Sequence, residues 1–254
     1  MPRPILKNRV QLDKMRAAGQ LAAQTLDMIT PHVQAGISTL ELDRLCHEYI
    51  LAHNATPAPL NYRGFPKSIC TSINDVVCHG IPAAEDVLQD GDIINIDVTV
   101  ILDGWHGDSS RMFTVGQVAS AAQKLVDDTH TAMMKGIATV QSGSWLSDIG
   151  QAIQTFADEQ GYSVVQDYCG HGIGAKFHEQ PMVLHYHPYP AGCDVRIRKG
   201  MVFTVEPMLN LGTYACEVMK DDWTVRTQDR KLSAQWEHTL AVTDDGYEIL
   251  TQSG

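Results

Sequence analysis

Acidic side chains stand inside apolar sequence at three places in the chain. Asp97 lies within a run of isoleucine and valine, Glu206 directly follows a second apolar run, and Glu237 opens a third. An ionised carboxylate in such surroundings costs several kcal/mol unless it is paired or coordinates a cation. The three residues are therefore candidates for metal ligands.

A fourth acid, Asp108, is brought to Asp97 by a predicted hairpin. Asp103-Gly104 is typical of a two-residue turn, and such a turn pairs Asp108 with Thr99 on the opposite strand. Because Asp97 and Thr99 lie on one face of their strand, Asp97 and Asp108 become diagonal neighbours. Two carboxylates this close both stay ionised only when a cation lies between them. An acidic pair at a solvated strand end is the alternative, and the apolar flanks argue against it more strongly for Asp97.

A histidine in a glycine-rich segment is a further candidate. His171 lies at the centre of 168–174, where glycines on both sides let backbone and ligand approach the side chain closely. A lone histidine in such a turn is more often structural. However, His79 begins a His-Gly-Ile sequence that repeats 171–173, and this repetition favours a functional role for both histidines.

If these side chains converge, their charges require compensation by metal. Four carboxylates carry four negative charges, which one divalent ion half compensates and two divalent ions neutralise. A carboxylate-rich set with one imidazole suits Mn, Fe(II), Co or Zn and excludes a soft thiolate site. Two such ions, bridged by carboxylates and a water, form a hydrolytic centre. The predicted ligands are Asp97, Asp108, His171, Glu206 and Glu237.

The elements that must position these residues follow a repeated order. Apolar residues at helical spacing predict a helix over about 12–29, and a capping box at Ser38 and Glu41 opens a second one. Short β-rich runs then occupy 62–113. Helical patterns return over 119–140 and 147–160, and strands follow again.

Short sequence matches indicate that the two series of elements arose by internal duplication. We therefore predict one domain over 1–254, built from similar halves of about 12–113 and 119–250, with an α+β fold of antiparallel strands and helices on one side. The matching pairs are 33–36 with 140–143, 79–81 with 171–173, and 91–97 with 200–206.

Composition excludes several classes of protein. The chain has 254 residues, a formal net charge of −11 and 44% hydrophobic residues, which is typical of a globular protein and argues against a nucleic-acid binder. No apolar run approaches the roughly 20 residues of a membrane span, and no apolar segment follows the basic N-terminus as in a signal peptide. Six cysteines without C-x-x-C spacing indicate a reducing compartment, so a cytoplasmic protein is expected.

The motifs around these candidate residues resemble those of type I methionine aminopeptidases, which have the pita-bread fold. The resemblance extends from about residue 12 to residue 250. It rests on VCHGIP at 77–82, NIDVTV at 95–100, DGWHGD at 103–108, YCGHGIG at 168–174, FTVEPM at 203–208 and SAQWEHT at 233–239.

The resemblance assigns a role to each candidate residue. It implies a curved antiparallel sheet with helices outside, and a pair of divalent ions held by the five ligands given above, with Asp108 and Glu237 bridging both ions. His79 would contact the scissile amide nitrogen, and His178 would stabilise the tetrahedral intermediate. Glu206 would also accept a proton from the attacking water.

The resemblance further implies an activity and a substrate pocket. The expected reaction removes the N-terminal methionine from nascent proteins and peptides whose second residue is small, by a monomeric enzyme that meets the ribosome. Aromatic and sulfur-containing side chains would bind the flexible methionine thioether. The expected pocket residues are Tyr62, Phe65, Cys70, His79, Phe177, His178 and Trp223, with Pro59 at the rim where some family members carry cysteine.

Three other interpretations remain open. A proline-directed aminopeptidase of the same fold would share the ligands, although such enzymes usually carry an additional N-terminal domain. A non-catalytic binding module on this fold would typically have lost ligands, whereas all five positions are filled here. A mononuclear Fe(II) oxygenase could use His106, Asp108 and His171, but it leaves the other buried acids unexplained.

Overall fold

A computed structural model describes residues 4–252, and within this range the chain forms four α-helices and fifteen strands. The helices are α1 (Arg9–Ile29), α2 (Thr39–Ala52), α3 (Ser120–Ile137) and α4 (Leu146–Gln160). The strands are β1 (Thr56–Pro57), β2 (Cys70–Ile73), β3 (Val76–Cys78), β4 (Ile93–Leu102), β5 (Trp105–Thr114), β6 (Ser163–Val164), β7 (Gly170–Gly172), β8 (Glu179–Val183), β9 (Val202–Val205), β10 (Met208–Asn210), β11 (Cys216–Val218), β12 (Val225–Thr227), β13 (Ser233–Gln235), β14 (His238–Val242) and β15 (Tyr247–Ile249).

The four predicted helices are confirmed, and the bounds that differ most, by three residues each, are the start of α1 and the end of α3. Helix α1 begins three residues before the predicted start because Asn8 and Gln11 form a reciprocal capping box, with the Asn8 side chain accepting from the Gln11 N–H at 3.0 Å. The capping residue of α2 is Ser38, as predicted, and its hydroxyl accepts from the Glu41 N–H at 3.2 Å.

All strand pairs are antiparallel, as predicted, and their hydrogen bonds group the strands into four sheets. The two larger sheets have the orders β1-β4-β2, with β5 on β4, and β15-β14-β9-β7-β8. The smaller ones are β13-β10-β6 and β11-β12-β3. One break has a clear cause, because Glu206-Pro207 separates β9 from β10 and proline has no N–H for the ladder.

The register of the β4–β5 hairpin confirms the predicted turn. Leu102 pairs with Trp105 across Asp103-Gly104, and Thr99 pairs with Asp108. This register places Asp97 and Asp108 on one face of the hairpin as diagonal neighbours.

Separate apolar cores stabilise the two large sheets. Helices α1 and α2 pack on the first sheet, where Leu26 and Leu42 join the cluster that contains Ile94. Helices α3 and α4 pack on the second, where Leu125 and Ile149 join the cluster that contains Phe203. None of the helices in the described range has the length and apolarity to cross a membrane.

The two sheets meet at Glu237. The Glu237 N–H donates to the Ser110 carbonyl at 3.2 Å, and the Ser109 hydroxyl donates to the Glu237 carbonyl at 2.7 Å. These bonds join β5 of the first sheet to the residue before β14 of the second, and the acidic side chains of both sheets lie at this junction.

Candidate active site

The structure brings the five predicted ligands to one place. Donor atoms of Asp108, His171 and Glu237 lie within 4.8 Å of one another, which is close enough to share a metal ion. His171 Nε2 lies 3.6 Å from Asp108 Oδ2 and 3.8 Å from Glu206 Oε1. Asp97 lines the same cavity as the other four.

Strand geometry explains why residues so far apart in the chain converge. Asp97 and Asp108 come from the β4–β5 hairpin, and His171 is the central residue of β7. Strand β9 pairs with both β7 and β14, so Glu206 at its end lies near His171 and near Glu237 before β14.

Unsatisfied carboxylate oxygens show that these residues fit a metal centre. Asp97 Oδ1 and Glu237 Oε1 are buried and have no hydrogen-bond partner within residues 4–252. The other two carboxylates are oriented by hydroxyl groups: Thr99 donates to Asp108 Oδ1 at 2.6 Å, and Thr204 donates to Glu206 Oε1 at 2.6 Å. Buried carboxylates that are oriented but incompletely satisfied are suited to divalent cations.

The protonation of the acids reflects the same deficit of positive charge. Burial, reinforced by the neighbouring carboxylates, raises the pKa of Asp97 and Glu237 well above their ordinary values. Burial also raises the pKa of Glu206 to about 7, although the charge of His171 opposes the shift. For His171 burial lowers the pKa, but Asp108 and Glu206 outweigh it and raise the pKa to about 9. Bound divalent cations would displace these protons.

An aromatic box lies beside the acids in a cavity of about 650 Å³. Phe65 and Trp223 meet edge to face with ring centroids 5.1 Å apart, and Tyr62 lies 5.0 Å from Phe177. All seven predicted pocket residues line this cavity, as does Pro59; they are Tyr62, Phe65, Cys70, His79, Phe177, His178 and Trp223.

Both predicted catalytic histidines are neutral at physiological pH. Burial lowers the pKa of His79 to about 4, and burial together with the nearby charge of His171 lowers that of His178 to about 4. His79 has a φ of 58°, a left-handed conformation that is uncommon for a non-glycine residue and concentrates at functional sites. The His178 Nδ1 lies 3.0 Å from the Tyr62 hydroxyl.

Sequence reasoning missed the side chains that orient Glu206. His185 Nε2 accepts from the Glu206 N–H at 3.1 Å, and Gln235 Nε2 donates to Glu206 Oε2 at 3.3 Å. Thr204 had a detectable signal, because a residue two positions before Glu206 on a strand shares its face. His185 had none, since its contact depends on how β8 and β9 pack.

The structure gives no support to a mononuclear oxygenase triad. His106 is buried, its Nδ1 lies 3.0 Å from the Gly174 carbonyl, and its ring stacks on Phe177 at 5.7 Å. It lies outside the group of Asp108, His171 and Glu237 that the described residues place within reach of one ion.

Comparison with known proteins identifies the family. The sequence pattern of metallopeptidase family M24 matches residues 13–244. The chain is 58% identical over 241 residues to a methionine aminopeptidase of Rickettsia prowazekii, covering 94% of this chain and 92% of that protein. The crystal structure of methionine aminopeptidase from Rickettsia prowazekii matches with a TM-score of 0.95 and 56% identity, covering 98% of this chain and all of that one.

A more distant structure shares the fold alone. The Xaa-Pro dipeptidase from Bacillus anthracis matches with a TM-score of 0.78 at 20% identity, and the match covers 99% of this chain but 63% of that one. The expected pita-bread fold is thereby confirmed. With a match over residues 13–244 and relatives above half identity, the chain belongs to metallopeptidase family M24.

Proposed function

We propose that the protein removes the N-terminal methionine from peptides and nascent proteins whose second residue is small. The observation that carries the proposal is the placement of four carboxylates and an imidazole beside an aromatic box in one cavity. The acids can hold hydrolytic metal ions, and the box can hold an apolar, flexible side chain.

The five acidic and imidazole side chains would hold two divalent ions, because four carboxylates need two such charges for neutrality. When bound, such ions lower the pKa of water and polarise a carbonyl oxygen. Ligand type alone admits Co, Mn, Fe(II) or Zn. The proposed ligands are Asp97, Asp108, His171, Glu206 and Glu237.

His178 is set up to donate a hydrogen bond to the substrate carbonyl. The imidazole is neutral, since its pKa is lowered to about 4, and its Nδ1 lies 3.0 Å from the Tyr62 hydroxyl. If Tyr62 donates to Nδ1, the single ring N–H is at Nε2. That N–H would stabilise the oxyanion that develops on the carbonyl oxygen during attack by water.

Glu206 and His79 are assigned to proton handling. Glu206 Oε1 is engaged by Thr204 at 2.6 Å, whereas Oε2 has the longer contact of 3.3 Å to Gln235. We therefore assign Oε2 as the atom that takes the proton of the attacking water. His79, neutral and held in the cavity wall, would contact the nitrogen of the bond that breaks.

The aromatic box would recognise the methionine side chain. Phe65, Trp223, Tyr62 and Phe177 offer flat apolar surface, and thioether sulfur makes favourable contacts with aromatic rings. The neighbouring acids suit the cationic α-ammonium group of a peptide N-terminus.

We further propose that the protein is a single-domain, cytoplasmic monomer that acts on chains emerging from the ribosome. The bonds of Glu237 to Ser109 and Ser110 across the two sheets support one domain. All six cysteines are free, which supports a reducing compartment.

The test is hydrolysis by the metal-depleted protein reloaded with Mn, Fe(II), Co or Zn in turn. Met-Gly and Xaa-Pro peptides are the two substrate classes, and released amino acid is measured. We expect methionine from Met-Gly peptides with at least one metal and no activity on Xaa-Pro peptides. Preferential cleavage of Xaa-Pro peptides would favour the proline-directed alternative and contradict the proposal.

A further inference from the structure

A buried ion pair connects the segment before α1 to the turn that carries His178. Lys7 Nζ donates to Glu179 Oε2, and the two side chains are only 2% and 3% exposed. Glu179 opens β8, so the turn between β7 and β8, residues 173–178, lies directly against this pair. A charged pair buried to this extent is costly to break, because either partner alone leaves an uncompensated charge.

The turn is built around the pair. An added Cβ at Gly174 would lie 2.6 Å from Lys7 Cε and 2.7 Å from Glu179 Oε1, so a larger residue there would have to displace the ion pair. Glu179 Oε1 also accepts from the Lys176 N–H at 3.3 Å. The Glu179 carboxylate is thus bonded both to Lys7 and to the backbone of the turn.

The other end of the connection is also fixed. The Lys7 N–H donates to the Gly200 carbonyl at 2.7 Å, and Lys7 Nζ donates to the Ile5 carbonyl at 3.2 Å. Both the backbone and the side chain of Lys7 are therefore held by hydrogen bonds. Through Lys7, Glu179 is connected to the backbone at Gly200, just before β9.

The turn in question presents two residues to the cavity. Phe177 and His178 both line it, and Tyr62 contacts each of them, at 5.0 Å between ring centroids for Phe177 and 3.0 Å between Oη and Nδ1 for His178. A displacement of the turn would therefore move the proposed oxyanion donor relative to the metal ligand His171, whose ring centroid is 4.2 Å from that of His178.

We propose that Lys7 is a positioning residue: through its ion pair with Glu179 it fixes the turn that places His178 for reaction. The inference rests on the proposed function. Lys7 does not touch the substrate, so its contribution passes through His178.

The experiment is a double-mutant cycle on kcat and KM with a Met-Ala peptide and the Mn(II)-loaded protein. The variants are Lys7→Met, His178→Ala and their combination, with Lys199→Met as the matched control. Lys199 also forms an ion pair, with Asp244, but those side chains are 62% and 70% exposed. We expect Lys7→Met to lower kcat about 10–100-fold, as for a misplaced catalytic group, and Lys199→Met to change nothing.

The cycle separates positioning from general stabilisation. If Lys7 acts through His178, the double variant should be about as slow as His178→Ala alone. The inference would be overturned if the fold-loss of kcat in the double variant equalled the product of the losses in Lys7→Met and His178→Ala. It would also be overturned if His178→Ala were as active as the wild type. Glu179→Gln keeps the size of the side chain and weakens only the ion pair, so the same cycle with this variant serves if Lys7→Met does not fold.

A second measurement does not depend on activity. The ring resonances of His178 are compared by NMR in the metal-free wild type, Lys7→Met and Lys199→Met. We expect them to shift in Lys7→Met only, and unmoved resonances would overturn the inference. A wild type that releases no methionine would reject the proposed function, whereas an active wild type with multiplicative effects would reject the role of Lys7 alone.

Discussion

Buried carboxylates occur in two regions of the molecule, and their partners differ. At the start of β8, Glu179 is paired with one ammonium group, that of Lys7, and its second oxygen accepts a backbone N–H. At the junction of the two sheets, four carboxylates share a single imidazole, and two of their oxygens have no hydrogen-bond partner within residues 4–252.

The difference shows what distinguishes a structural acid from a metal ligand. Burial alone does not, because the acids of both regions are largely buried. The distinguishing feature is the balance of charge: the first region is complete within the chain, whereas the second needs cations that the chain does not supply. That imbalance should have measurable consequences for activity, metal content and stability.

The largest effect is expected from removing a charge of the junction. Glu237→Gln should lower peptide hydrolysis on the order of 10³-fold or more, because it removes one of the carboxylates proposed to hold the metal ions. It should also raise the thermal stability of the metal-free protein at neutral pH, because burial and the neighbouring acids raise the pKa of Glu237 and folding must then protonate a carboxyl that Gln does not have. Peptide hydrolysis and metal content of the same sample measure the first effect. The melting temperature of the metal-free protein measures the second.

A Glu237→Gln variant that keeps its full metal content would show that Glu237 is not a ligand. Lower stability of the metal-free variant would show that the acids do not repel one another.

The next effect is expected at a residue that lines the cavity without holding metal. His79→Ala should lower turnover by about 10²–10⁴-fold, as for loss of a proton-handling group, while metal content stays intact. Kinetics and elemental analysis of the same sample test both parts. Unchanged turnover would remove His79 from the mechanism, and lost metal would place it among the ligands.

Metal binding should depend on pH through the shifted groups at the junction. In the metal-free protein the pKa of Glu206 is raised to about 7 and that of His171 to about 9. A raised pKa favours the protonated folded state, so this stabilisation is present at low pH and is lost as pH rises through these values. Bound metal requires both groups deprotonated.

The stabilisation by Mn(II) should therefore grow between about pH 5 and pH 9, by about 3 kcal/mol for Glu206 and by about 5 kcal/mol for His171. It is measured as the difference in unfolding free energy with and without the metal. A difference that does not change with pH would contradict the assignment of His171 and Glu206 as ligands.

The smallest effect on activity is expected at a satisfied acid. Asp43 is buried in α2, and its Oδ1 accepts from the N–H groups of Ser68 and Ile69 at 2.7 and 3.1 Å. Asp43→Ala should cost about 1–3 kcal/mol of stability by leaving those donors unpaired. Metal content should not change, and a loss of metal would contradict the distinction between the two kinds of acid.

The sequence predicted the parts of the site that depend on local structure. The register of the β4–β5 hairpin follows from the turn at Asp103-Gly104, so the pairing of Thr99 with Asp108 was predictable. Glu206 and Glu237 stood out because a charge inside apolar sequence needs a partner. The internal duplication stays a prediction, since nothing in the fold tests it.

Other parts could not be derived from the residues. The approach of His171 to Asp108 depends on how two sheets meet, which no local pattern encodes. His178 and the aromatic box were predicted only through the family resemblance, because a single aromatic residue is usually core. The Lys7–Glu179 pair joins positions 172 residues apart and had no sequence signal.

The most direct test of the central claim is a crystal structure of the protein loaded with Mn(II), with anomalous diffraction used to locate the ions. We expect two anomalous peaks, both bounded by Asp97, Asp108, His171, Glu206 and Glu237. No peak among these side chains, or ions bound only elsewhere on the molecule, would contradict the account.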